Sequence, residues 1–138
     1  MTKQYGSLKE KIAAEKAERL NRHNAYADLF KQAQAAGYAA GDHMTPLPML
    51  VTTRDGELIE RVNEGMCGFA SIIVRHANKG FGHWLNKQGI ARKSYYGGME
   101  IWIHAHNQSY ERKVAHANAM VHVLREGGVD CYVSSRLD

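Results

Sequence analysis

Residues 99–113 read MEIWIHAHNQSYERK, a strand pattern that runs directly into a helix pattern. Over its first part the side chains alternate. Met99, Ile101, Ile103 and Ala105 share one parity, and Glu100, Trp102, His104 and His106 share the other. A period of two marks a strand with one buried face. The alternation stops at Asn107-Gln108-Ser109. Serine is a helix-capping type, and Tyr110, Val114, Ala117, Val121 and Leu124 follow it at helical spacing. Gly127-Gly128 then ends that helix before a last β-prone run, DCYVSS at 130–135.

Working upstream, Gly97-Gly98 permits a tight turn between RKSYY and the 99–105 strand. GFASIIV (68–74) reads as a buried strand. Asn78 is the expected cap of a short helix carrying Phe81, Trp84 and Leu85, stopped by Gly89. The order β-α-β-β-α-β is that of a ferredoxin-like, split βαβ unit. The expected class is therefore α+β, with a single antiparallel sheet and both helices on one of its faces.

The N-terminal part adds two elements. Ser7 with Glu10 fits a capping box, and Leu8, Ile12, Leu20, Tyr26, Leu29, Phe30 and Ala33 fall near one helical stripe, which predicts a helix from Ser7 to Ala36 stopped by Gly37. After Pro46 and Pro48, MLVTT and ELIERV flank Arg54-Asp55-Gly56, a hairpin signal that predicts a type I′ turn. We expect one globular unit, with residues 1–45 a helical extension and residues 46–138 the α+β core. A helix this long is also a candidate homo-oligomerisation stem.

Composition limits the function classes. At 138 residues the chain is the size of one domain, and its net charge of +4 suits an anionic partner without demanding one. It has no run of 18 apolar residues, which argues against a membrane span. The charged N-terminus has no apolar signal-peptide region, so a cytoplasmic protein is expected. Cys67 and Cys131 are too few for a disulfide framework and are expected as buried thiols.

The parity of the 99–106 strand places Trp102, His104 and His106 together on the face away from the helices. In the last strand Cys131 and Val133 point inward, leaving Tyr132, Ser134 and Arg136 on that same far face. The long N-terminal helix is expected to cover part of it, since its stripe must be buried somewhere. His104-x-His106 could offer two imidazoles to a metal, but no third ligand is marked, and His116 and His122 lie on different sides of their helix. No nucleophile elbow, protease cysteine signature or phosphate-binding glycine loop occurs. No catalytic residue, metal or cofactor is therefore expected. Aromatics on an open βαββαβ sheet suggest the RNA recognition motif, although the characteristic aromatic spacing is missing.

The series LPMLV, GMCGFASIIV, YYGGMEIWI and NQSYERKVAHANAMVHVLREGGVDCYVSSRLD resembles a family of small proteins common in tailed-bacteriophage genomes. Its members read PTPM-V, CGFAWV, YGG and QS-ERK-AYA and end in SRLD or SRMD. The resemblance covers about residues 25–138 and is specific in roughly the last 70. It implies a phage origin and carries no assigned activity. This chain departs from it in its histidines, at HAH (104–106) and HANAMVH (116–122).

Together these readings lead us to expect a phage-encoded, non-enzymatic binding protein in the host cytoplasm, whose target is a host protein or an anionic ligand such as a nucleotide or nucleic acid. Its expected site is the edge formed by Tyr95, Tyr96, Gly97, Gln108, Ser109, Arg112 and Arg136, with Trp102 and Tyr132 adjoining. Nucleic-acid binding as the main activity and a structural role in a phage particle are the alternatives.

Overall fold

In the computed structural model, which describes residues 7–138, the elements run α1 (Leu8–His43), β1 (Met49–Thr52), β2 (Leu58–Val62), β3 (Gly68–Val74), α2 (Gly80–Lys87), β4 (Arg92–Lys93), β5 (Met99–Trp102), α3 (Tyr110–Glu126) and β6 (Cys131–Leu137). The chain is α+β, with a long N-terminal helix and two antiparallel sheets. The first six residues of the expected N-terminal extension lie outside the described residues.

β3 is the centre of the main sheet. It pairs antiparallel with β5 on one side and β6 on the other, and β4 completes the order β4-β5-β3-β6. Ala70, Ile72 and Val74 of β3, Met99 and Ile101 of β5, and Cys131 of β6 face the helices and are buried in the core. Phe81, Trp84 and Leu85 of α2 and Ala117, Met120, Val121 and Leu124 of α3 meet them there. The parity read from the sequence thus sends the isoleucines inward and Trp102 outward.

The expected single sheet is corrected to two. β1 and β2 pair only with each other, and Leu50, Leu58 and Ile59 are exposed, so the hairpin has no apolar face sealed against the main sheet. It is tied down at its base, where the Leu47 N–H donates to Glu111 Oε2 at 2.7 Å. Its turn also differs from the type I′ reading. Gly56 has φ +85° but Asp55 is not left-handed, and the Gly56 N–H closes the turn onto the Thr53 carbonyl at 3.0 Å.

Helix α1 starts as expected, with Ser7 Oγ accepting from the Glu10 N–H at 3.2 Å, but it does not stop at Gly37. It continues through Gly37 and Gly41 because these are packing points. A methyl group at Gly37 would sit 2.5 Å from His116 Cδ2, and one at Gly41 would collide with the His106 ring. Phe30, Ala33, Gly37 and Gly41 are the buried line of α1, three or four residues apart, and they set α1 closely against α3. Tyr26 and Phe30 also reach α2, with ring centroids 5.7 Å from Phe81 and 6.3 Å from Trp84 respectively.

Helix α1 therefore packs on the helix side of the sheet, not on the mixed face it was expected to cover. Its apolar side chains find partners in α2 and α3, whose outer surfaces the sheet leaves open. Only its second half does so; Leu8, Ile12 and Leu20 remain exposed.

Three smaller expectations also change. Helix α2 begins after Lys79, which makes no side-chain cap bond, and not after Asn78. The RKSYY run is strand only at Arg92–Lys93; Tyr95 and Tyr96 belong to the turn, which the Ser94 N–H to Gly98 carbonyl bond closes at 2.9 Å. Cys67 is exposed, while Cys131 is buried as expected. Among the described residues no helix is long and apolar enough to cross a membrane.

Candidate functional site

The face of the main sheet turned away from the helices carries the candidate site. Strand register fixes its composition: Ser71 stands opposite Trp102 and Ser134, Ile73 opposite Glu100 and Tyr132, Phe69 opposite Arg136, and Arg92 opposite Glu100. Paired residues share a face, so these side chains form one surface. Phe69, Ser71, Trp102, Arg136 and the turn tyrosines Tyr95 and Tyr96 line a shallow concavity of about 280 Å³.

Several contacts order this surface. Ser71 Oγ donates to Glu100 Oε2 at 2.6 Å, holding the carboxylate against the sheet. The Arg136 guanidinium lies over the Phe69 ring, 5.3 Å from its centroid, and Arg75 lies over Tyr132 at 4.9 Å. Arg75 is also paired with Asp130 at 3.1 Å, whereas Arg136 has no ion-pair partner among the described residues. Trp102 is 41% exposed, Tyr96 74% and Tyr95 96%, which leaves large aromatic area facing solvent. The two tyrosine rings meet edge to face, 5.5 Å apart.

Of the residues expected at the site, Tyr95, Tyr96, Trp102 and Arg136 come together here, and Tyr132 lies on the same face. Gly97 is in the adjoining turn at φ +91°, a left-handed conformation that suits glycine. Gln108, Ser109 and Arg112 are elsewhere, so the single edge read from the sequence divides in two. Ser109 is buried, capping α3 through the Arg112 N–H at 3.4 Å and donating to the Glu64 carbonyl at 2.9 Å. Arg112 is consumed by structure: its Nε donates to Glu64 at 2.7 Å, and its Nη1 donates to the Gly41 and Asp42 carbonyls at 2.9 and 3.0 Å. It holds the end of α1 to the start of α3.

Sequence reading placed Glu100 and Ser134 on this face but missed Phe69 and Ser71 as members of the surface. Either parity of GFASIIV is apolar enough to face inward, so only pairing with β5 and β6 decides which residues face out.

The histidines are also redistributed. Strand β5 ends at Trp102, the alternation lasts through His104, and His106 and Asn107 adopt positive φ, 67° and 53°. His104 stays exposed on the Trp102 side, but His106 turns under the helices. There its Nε2 lies 2.9 Å from His116 Nδ1, its Nδ1 lies 3.6 Å from Asp42 Oδ1, and Tyr38 packs edge-on to His116 at 4.9 Å. Burial, with His106 adjacent, pushes His116 down to about 4, and burial also lowers His106 against the opposing pull of Asp42. Lys113, lowered by burial, donates to the Ile103 carbonyl at 3.0 Å. Near neutral pH the pair is two uncharged imidazoles sharing one hydrogen bond. His104 and His106 do not form a chelating pair, and among the described residues no three His, Cys, Asp or Glu side chains gather as a metal-holding group.

No family model, curated protein or solved structure matches this chain.

Proposed function

We propose that the protein is a phage-encoded, non-enzymatic binding protein of the host cytoplasm, and that its open sheet face takes the bases of a single-stranded nucleic acid or nucleotide. The observation carrying this reading is the exposed Trp102 beside the Arg136–Phe69 stack and the two turn tyrosines. Base–aromatic stacking contributes about 1–3 kcal/mol per base and tolerates any sequence, while arginine supplies the phosphate contact. The strand order β4-β5-β3-β6, with α2 following β3 and α3 following β5, supports reading the core as a ferredoxin-like split βαβ unit. That is the arrangement in which the RNA recognition motif presents rings from its central strands. The phage origin rests on the sequence resemblance, and the cytoplasmic location on the charged, non-apolar character of the N-terminal segment.

The test is fluorescence anisotropy of labelled single-stranded oligonucleotides at two salt concentrations. Binding that weakens as salt rises and drops at least tenfold in Trp102→Ala is expected. An oligonucleotide affinity that Trp102→Ala and Arg136→Ala both leave intact refutes the reading. A host protein as the target of the same face would show as Trp102-dependent capture without oligonucleotide binding.

A structural, assembly role has its own observation, the exposed Leu8, Ile12 and Leu20 on the free half of α1. Light scattering of the full chain decides it, since a monomer removes the oligomerisation stem.

A further inference from the structure

On the opposite side of the molecule, α1 and α2 enclose a second concavity, of about 490 Å³, within the size range of small-ligand pockets. Its walls are cationic. Arg19, Arg22 and His23 come from α1, and His83 and Lys87 come from α2, with Trp84 between them. The spacing explains the convergence: 19, 22, 23 and 26 fall on one face of α1, and 83 and 87 on one face of α2. The lining contains no Asp or Glu. Among the described residues none of the five basic side chains has an ion-pair partner, whereas Arg75 and Arg112 are each matched to an acid.

A cleft lined by one sign of charge concentrates field and counter-ions. Tyr26 and Trp84, which line the groove, belong to the aromatic cluster that docks α1 on α2. Two guanidinium groups are planar forks suited to phosphate oxygens, and the lysine adds a point charge. Their number calls for more than one phosphate.

We propose that this groove is a binding site for an oligophosphate group, separate from the sheet face and independent of its reading. Arg19, Arg22 and Lys87 supply the fixed charge, His23 and His83 hydrogen bonds, and Trp84 a wall whose fluorescence reports occupancy.

The experiment uses the full chain with Trp102→Phe, which leaves Trp84 as its only tryptophan. Inorganic tripolyphosphate is titrated at physiological salt, followed by fluorescence and calorimetry, with a single-stranded oligonucleotide as the second arm. Saturable tripolyphosphate binding is expected, reduced at least tenfold in R22E/K87E and unchanged in Trp102→Ala. Both reversed positions are exposed, and circular dichroism checks that the fold is kept. Absence of saturable heat, or equal affinity in R22E/K87E, overturns the proposal. So does tripolyphosphate binding that is lost with Trp102 and Arg136 instead, which would assign the anion to the sheet face. Loss of oligonucleotide binding alone strikes the sheet-face reading and leaves the groove standing.

Discussion

His106 Nε2 and His116 Nδ1 stand 2.9 Å apart at the seam where α1, α3 and the segment after β5 meet. Each ring sits where α1 has a glycine, His116 against Gly37 and His106 against Gly41. The histidines of HAH and HANAMVH are thus partly accounted for as packing at this seam.

The pair makes stability depend on pH with a definite sign. His116 is lowered from 6.5 to about 4, so between those values the unfolded chain binds a proton that the folded chain refuses. Stability is complete above pH 6.5 and falls on acidification, by about 3 kcal/mol when pH 4 is reached. Urea unfolding across this range should show the loss in the native chain and a flatter profile in His116→Gln. An unaltered profile in the variant would mean that other groups govern acid unfolding.

Gly37→Ala tests the helix contact. In a solvated helix this change stabilises by up to about 1 kcal/mol. Here the added carbon meets His116 and Met120, so overpacking of about 1–3 kcal/mol reverses the sign. A lower Tm is expected for Gly37→Ala, whereas Ala39→Gly, at an exposed position of the same helix, should lose only its propensity term.

Arg112 is expected to act in folding, not in ligand binding. Arg112→Ala leaves the Gly41 and Asp42 carbonyls and the Glu64 carboxylate without their donor, at a cost of about 2 kcal/mol. Hydrogen exchange should speed up over residues 37–43 while oligonucleotide affinity stays unchanged. A binding defect without faster exchange would return Arg112 to the recognition surface.

The two thiols should separate cleanly. Burial pushes Cys131 up to about 11, so little thiolate forms there, while Cys67 is exposed. One equivalent of a thiol reagent should react quickly with the folded chain, and a second only after unfolding. Two fast equivalents would mean that β6 opens readily.

Local signals specified the order of most strands and helices, though not all their bounds, and the side of β5 on which Trp102 lies. These are local matters: a period of two, a helical stripe, Ser7 and Ser109 as caps, and Gly89 and Gly127 as stops each act within a few residues. The sequence also put Tyr95, Tyr96, Trp102, Tyr132 and Arg136 in one group, because parity and chain order suffice for that. Contacts between distant elements settled the rest. Gly37 looks like a helix stop until α3 supplies the imidazole that fills its place. Arg112 looks like free charge until the end of α1 supplies two carbonyls. GFASIIV has two apolar parities, and pairing chose Ala70, Ile72 and Val74 for the core. The cationic groove needs Arg22 and Lys87, 65 positions apart, on facing helices. Local periodicity reports what a segment prefers to bury; what it is buried against depends on which surfaces the other elements leave open.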